Sequence, residues 1–101
     1  MWARVASFEG GDHEKLRQLT ESRMQEGAGP AGAQGVMVLA DADRTKRLFI
    51  SFFESREAIE AAEAEFDRMG DEIPEEIRGR RVGRDYYEVV FERMPQKTGM
   101  R

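Results

Sequence analysis

The sequence predicts one α+β domain whose elements follow in the order β–α–β–β–α–β. Three observations predict it: short runs of β-branched and aromatic residues, two stretches with apolar residues at helical spacing, and turn-forming residues between them. A chain of 101 residues, 40% of them hydrophobic, is long enough for one core but not for two. We expect the domain to span residues 1–94, with strands over residues 2–8, 36–40, 47–53 and 82–93.

Each predicted helix has a start signal in the sequence. Asp12 precedes a helix expected over residues 13–26, and Ser55 precedes the second helix; both side chains can accept a hydrogen bond from the first turn. The second helix ends or kinks at Pro74, and a short turn follows through Ile77. Its apolar stripe consists of Ile59, Ala62, Phe66, Met69 and Ile73.

The remaining segments have the composition of connections. Residues 27–35 contain four glycines and a proline and form a loop, which is either a flexible rim of a pocket or a plain linker. Residues 41–46 are polar and predict the turn of a β-hairpin, and residues 95–101 are expected to be a disordered tail. The simplest topology is an antiparallel four-stranded sheet with both helices on one face, the ferredoxin-like arrangement.

Both faces of the predicted sheet are apolar on three of its strands. In the third strand Leu48, Ile50 and Phe52 point one way, while Phe49 and Phe53 point the other. Two helices cover only one face, and leaving about six such side chains in water costs on the order of 10 kcal/mol. The pattern therefore favours a homodimer through the open sheet face; the alternative is that loops and tail of the same chain cover it.

Composition excludes several classes of function. Sixteen basic and 20 acidic residues give a net charge of −4, which argues against a nucleic-acid partner. No apolar run approaches the roughly 20 residues that span a bilayer, and the start is too polar for a signal peptide, so we expect a cytoplasmic protein without a membrane partner. The absence of cysteine excludes thiolate metal sites, and His13, the only histidine, is expected to be exposed to solvent. We predict no metal and no cofactor.

Four segments carry a resemblance to a known family. They are Ala3-Arg4-Val5, the Gly32–Gly35 region leading into Val36-Met37-Val38-Leu39-Ala40-Asp41, Phe53-Glu54-Ser55-Arg56-Glu57-Ala58, and Tyr87-Glu88-Val89. Over roughly residues 2–92 the chain resembles the dimeric α+β barrel superfamily, above all the small proteins similar to antibiotic-biosynthesis monooxygenases. The family's common Trp-Glu-Ser start of the second helix reads Phe53-Glu54-Ser55 here. The resemblance implies a homodimeric barrel with a mostly apolar pocket between the sheet and the helices, or within the barrel.

Polar residues on the strands are the candidates for chemistry in such a pocket. Arg4, Ser51 and Tyr86 are the predicted catalytic residues. Arg4 lies among apolar neighbours, where it either holds the anionic oxygen of a phenolate or carboxylate or pairs with an acid of the partner chain. Ser51 either donates to a ligand or fills space, and it lacks a histidine base that would make it a nucleophile. Aromatic residues complete the predicted pocket: Trp2, Phe49, Phe53 and Tyr87.

Two further patterns bear on the site. Tyr86 and Tyr87 are adjacent on a strand and must point to opposite faces, so one is expected in the core and the other against a cavity. The basic run Arg78, Arg80, Arg81 and Arg84 either binds an anion or, as we expect, compensates the acidic second helix.

The sequence therefore favours a monooxygenase-like protein that oxidises or binds a small aromatic or phenolic molecule without a metal. The alternative is a non-catalytic ligand-binding or structural homodimer. The alternative is favoured if Arg4 and Ser51 are both salt-bridged or facing solvent.

Overall fold

The computed structural model describes residues 1–25 and 31–94, and its elements follow the predicted order. Residues 26–30 of the predicted first helix and loop, and the predicted tail over residues 95–101, lie outside the described residues. The elements are β1 (Trp2–Glu9), α1 (His13–Gln25), β2 (Gly35–Ala40), β3 (Lys46–Phe53), α2 (Arg56–Asp71), α3 (Glu75–Arg78) and β4 (Arg80–Glu88).

The four strands form one antiparallel sheet in the order β2-β3-β1-β4. Arg4 on β1 lies opposite Ser51 on β3 and opposite Tyr86 on β4. Because directly opposed residues of antiparallel strands project to the same side, these three side chains share a face. We call it the helix face, since the residues that contact α2 and α1 lie on this side. The predicted ferredoxin-like α+β fold is confirmed.

Both predicted helix caps are present. The Asp12 carboxylate accepts a hydrogen bond from the backbone N–H of Lys15 at 3.0 Å, and Ser55 Oγ accepts one from the backbone N–H of Ala58 at 3.1 Å. α2 ends at Asp71, and the single turn of α3 begins after Pro74, whose ring prevents a continuous helix. The predicted hairpin turn is also present: Asp41 accepts from the backbone N–H groups of Lys46 and Thr45, and these bonds lower the pKa of its carboxyl group.

The last strand begins and ends earlier than the sequence predicts. β4 begins at Arg80, opposite Glu9, two residues before the predicted start. Hydrogen bonds between strands join main-chain groups, so the polar residues Arg80 and Arg81 pair with β1 as well. β4 ends at Glu88, opposite Trp2, and one further main-chain hydrogen bond runs from the N–H of Val89 to the carbonyl oxygen of Met1 at 2.9 Å. Val90 and Phe91 therefore extend past the sheet with 87% and 81% of their surface exposed, and the predicted strand over residues 82–93 was wrong for its final residues.

The core is small and lies beneath α2 at one end of the helix face. Phe53, Ile59 and Ala62 are buried and are surrounded by Trp2, Phe66 and Tyr86, among others. The rings of Phe53 and Phe66 meet edge to face, with 6.1 Å between their centroids. This cluster anchors α2 to the sheet and leaves the other end of the helix face, towards α1, open to a cleft.

The opposite side of the sheet, which we call the open face, is apolar and partly exposed. Met37, Leu39, Leu48 and Tyr87 are each exposed by more than a third, and the register places all four on this side. Within residues 1–25 and 31–94, both long helices lie over the other face. None of the helices in the described part of the chain is long and apolar enough to cross a membrane.

Candidate functional site

A cleft of about 1200 Å³ lies between the helix face of the sheet and helices α1 and α2. Its floor comes from alternate residues of β1, β2 and β3, which project to this side of the sheet. Its walls come from one side of each helix. The large apolar side chains of the lining are Phe8, Leu16, Val38, Phe49, Phe66, Met69 and Ile73. A cleft of this size and composition is typical of a site for a small, largely apolar molecule.

Arg4 forms the best-buried ion pair of the site with Glu63 on α2. Arg4 is only 3% exposed, and its Nε and Nη2 donate to the two carboxylate oxygens of Glu63 at 2.9 and 3.2 Å. The guanidinium carbon lies 3.9 Å from the centre of the Phe66 ring, within the range of a cation–π interaction. Arg4 lines the cleft, but its position is fixed by these two contacts.

Glu63 connects Arg4 to two residues of β4. Tyr86 donates its hydroxyl hydrogen to Glu63 at 2.5 Å, and Arg84 donates at 3.2 Å. Burial raises the pKa of Glu63, but the hydrogen bonds from Arg4 and Tyr86 and the nearby positive charges outweigh burial and lower it. Burial and the hydrogen bond to Glu63 raise the pKa of Tyr86. At neutral pH Glu63 is therefore the anion and Tyr86 the neutral donor, so Tyr86 is poorly suited to act as a base.

Arg47 is a second buried cation in the lining of the cleft. It is 3% exposed, and its Nη2 donates to the carbonyl oxygens of Gly10 and Arg78, both at 2.7 Å. Its Nε and Nη1 are buried without a hydrogen-bond partner among the described residues. Burial lowers its pKa, although a guanidinium stays protonated at neutral pH.

His13, at the start of α1, also lines the cleft. We expected a solvent-exposed side chain, but His13 is half-buried, and its Nδ1 has no partner among the described residues. The helix starts beside the hairpin of β2 and β3, which brings Arg44 Nη1 within 2.8 Å of His13 Nε2. Because a guanidinium only donates, Nε2 accepts and the ring proton lies on Nδ1.

The predicted site residues lie in three places. Arg4 and Phe49 line the cleft, whereas Phe53 and Trp2 belong to the core cluster beneath α2. Ser51 is completely buried beside Arg4, and its Oγ has no partner in the described part of the chain.

The two adjacent tyrosines separate as alternation requires. Tyr86 lies on the helix face, where with Trp2 it borders a shallow depression next to the core. Tyr87 lies on the open face and is 56% exposed, so any ligand contact by Tyr87 has to come from a site on that face.

The basic run at the start of β4 is largely compensated by acids. Arg80 pairs with Glu9 at 3.2 Å and Arg81 with Asp67 at 3.7 Å, in addition to the bond of Arg84 to Glu63. Arg78 instead donates to backbone carbonyl oxygens. The expectation that these arginines compensate the acidic second helix therefore holds for Arg81 and Arg84, whereas the partner of Arg80 lies on β1.

Sequence reasoning missed Glu63 and Arg47, although each had a signal. Glu63 lies four residues after Ile59 and three before Phe66, which places a carboxylate on the apolar side of α2. Arg47 lies two residues before Phe49, on the strand positions that point towards the helices. In both cases the signal is a charged residue at a position where the periodicity of the helix or strand predicts an apolar one.

Comparison with known proteins identifies the fold. No protein-family model and no curated protein sequence matches the chain. Among solved structures the chain is similar to a monooxygenase from the gene ActVA-Orf6 of Streptomyces coelicolor, crystallised with the ligand nanaomycin D. The TM-score is 0.62 at 17% sequence identity, and the similarity covers 94% of this chain and 92% of that chain. This chain thus shares its fold with that monooxygenase, and the α+β fold that the resemblance implied is confirmed.

Proposed function

We propose that the chain binds a small aromatic or phenolic molecule in the cleft and promotes its oxidation by O₂ in the manner of a cofactor-independent monooxygenase. The observation that carries the proposal is the cleft itself, which combines apolar walls with two buried guanidinium groups, Arg4 and Arg47. The protein that shares the fold is named a monooxygenase and was crystallised with a small ligand, which supports the same class of function.

The proposed reaction draws its electrons from the substrate. Loss of a proton to solvent from an activated CH₂ group gives an aromatic anion, which O₂ oxidises. One oxygen atom forms the new carbonyl group, and the other leaves as water with the two hydrogens of that carbon. The protein's contribution is to orient the substrate against Phe49, to exclude water, and to stabilise negative charge with Arg4. Tyr86 acts through Glu63 as a positioning residue for Arg4.

Oxygen uptake with a defined probe tests this proposal. With 1,8-dihydroxyanthrone, whose CH₂ group oxidises to a carbonyl, the protein should accelerate O₂ consumption and formation of the anthraquinone. Val38→Trp places a large ring in the cleft from the edge strand and should reduce the rate at least tenfold. Ala61→Trp, on the exposed side of α2, is the matched control and should leave it unchanged. No acceleration, or equal rates for the two variants, contradicts the proposal.

We also propose that two copies associate through the open face. Its partly exposed apolar side chains would lose contact with water, and exposed Val90, Phe91 and Met94 extend the apolar surface beyond β4. Light scattering coupled to size exclusion should give twice the chain mass of 11.6 kDa. Leu48→Glu introduces a charge into this face and should yield monomers, whereas Ala61→Glu should remain dimeric. A monomeric unsubstituted protein contradicts the dimer.

The second candidate is a ligand-binding or structural homodimer without catalysis. The ion pair of Arg4 with Glu63 favours it, because the pair already neutralises the arginine. Ser51 is neither salt-bridged nor facing solvent, since its Oγ is buried and has no hydrogen-bond partner among the residues that the structure describes. Binding of 1,8-dihydroxyanthrone without faster O₂ uptake would favour this candidate.

A further inference from the structure

The corner of the cleft around Arg47 contains a buried positive charge without an acidic partner in the described part of the chain. Leaving buried N–H groups of a charged side chain without acceptors is costly, more so than for neutral donors. Two nitrogens of Arg47, Nε and Nη1, are in this state. A ligand whose acceptor atoms bind these two nitrogens would therefore gain binding free energy without having to break an existing ion pair.

The remaining nitrogen of Arg47 fixes the guanidinium in place. Nη2 bridges Gly10 and Arg78, which belong to the β1–α1 connection and the end of α3. The backbone is close here: a Cβ atom built at Gly79 would lie 2.9 Å from Nη2 and 2.6 Å from the carbonyl oxygen of Glu9. The free nitrogens are thus held by a rigid support, which lowers the entropic cost of binding.

His13 supplies a second unused donor to the same cleft. With Nε2 accepting from Arg44, the proton on Nδ1 is available, and Nδ1 is buried without a partner among the described residues. Arg47 comes from β3 and His13 from α1, so two independent elements bring donors without a partner among the described residues to the lining of the cleft.

The acidic residues that line the cleft do not supply the missing acceptor. Asp41 is engaged by the hairpin turn, Glu21 pairs with Arg17 at 2.5 Å, and Asp67 pairs with Arg81. Asp71 lies exposed at the end of α2. Arg47 therefore keeps its positive charge, as do Arg44, which donates to His13, and Arg78, which donates to backbone carbonyl oxygens, so the corner favours an anion.

We propose that this corner binds a carboxylate, and that the ligand of the cleft is an aromatic carboxylic acid. A carboxylate has only acceptors, which complements donors from Arg47 and His13. Phe8 lies directly opposite Arg47 on the neighbouring strand, and Phe49 follows two residues later, so an aromatic body attached to the carboxylate meets apolar rings. The proposal rests on the proposed function, because it names the chemical class of ligand for the same cleft.

The test compares two probes that share an aromatic body and differ in charge, 2-naphthoate and 2-naphthamide. Fluorescence titration of the full chain should show at least tenfold tighter binding of 2-naphthoate, the factor expected from charged hydrogen bonds. Arg47→Gln should remove this preference, and His13→Phe should reduce it. Arg80→Gln is the matched control, since it removes an exposed arginine outside the cleft and should retain the full preference.

A readout on the unsubstituted protein covers the case in which Arg47→Gln fails to fold. The side-chain ¹⁵N–¹H signals of Arg47 should shift on addition of 2-naphthoate but not of 2-naphthamide. Equal binding of both probes, or an unchanged preference in a folded Arg47→Gln protein, overturns the carboxylate site and leaves aromatic binding intact. Binding of neither probe at millimolar concentration also overturns it, while oxygen uptake with 1,8-dihydroxyanthrone separately decides the proposed function.

Discussion

Replacing Glu63 by Gln should destabilise the protein strongly, because it leaves Arg4 as a buried charge without its counter-ion. Arg4 is 3% and Glu63 17% exposed, so water replaces little of the lost interaction. Removing one partner of a buried pair costs about 3–5 kcal/mol, and the partial exposure of Glu63 favours the lower end, about 3 kcal/mol. For a domain of this size that corresponds to a melting temperature lower by about 15 °C.

The effect should depend on pH in a defined direction. The folded-state pKa of Glu63 is lowered from its ordinary value of 4.5. The contribution of Glu63 to the free energy of unfolding is therefore complete above pH 4.5 and is lost as the pH falls through the folded-state pKa. Urea unfolding at pH 7 and at acidic pH measures the free energy of unfolding of the unsubstituted protein and of Glu63→Gln, and the difference between them should shrink at acidic pH. Glu60→Gln is the control, since its pair with Arg56 is exposed and should contribute less than about 1 kcal/mol. Equal stabilities of the two variants at pH 7 would refute the reasoning.

Other substitutions test the local structure by urea unfolding. Ser55→Ala removes the hydrogen bond to Ala58 and should cost about 1 kcal/mol; an unchanged midpoint would mean that the cap is not needed. Gly79→Ala should cost more than about 2 kcal/mol, because φ is +82° and the added methyl would lie 2.6 Å from the Glu9 carbonyl oxygen. Gly70→Ala is its control on α2, where nothing lies within 4 Å, and should stabilise the helix by about 0.5–1 kcal/mol.

The sequence predicted the fold well because the fold depends on local periodicity. Alternation in β3 separated Phe49 and Phe53 from the open-face residues, and the register has the same separation. The end of β4 could not be read in this way. Val90 and Phe91 have the composition of a strand, but pairing there requires a neighbouring strand, and β1 begins at Trp2.

The site was less predictable because its contacts join distant residues. Arg4 and Glu63 are 59 positions apart, and although spacing places Glu63 on the apolar side of α2, no spacing rule pairs it with Arg4. The free nitrogens of Arg47 depend on how two connections approach each other around Gly79, which periodicity does not describe. Alternation with Phe49 is a signal that Arg47 points towards the helices, but only the packed chain shows which of its nitrogens have partners.

The nitrogens of Arg47 have two different roles, which has a consequence for changing the ligand specificity of the cleft. Nη2 donates to two backbone carbonyl oxygens and so holds two connecting segments together, whereas Nε and Nη1 have no acceptor among the described residues. Selection for a different occupant at this corner would therefore act on foldability at the same time. A library that varies the apolar walls at Val38 and Leu16 and keeps this guanidinium should recover new specificities more often than one that randomises it.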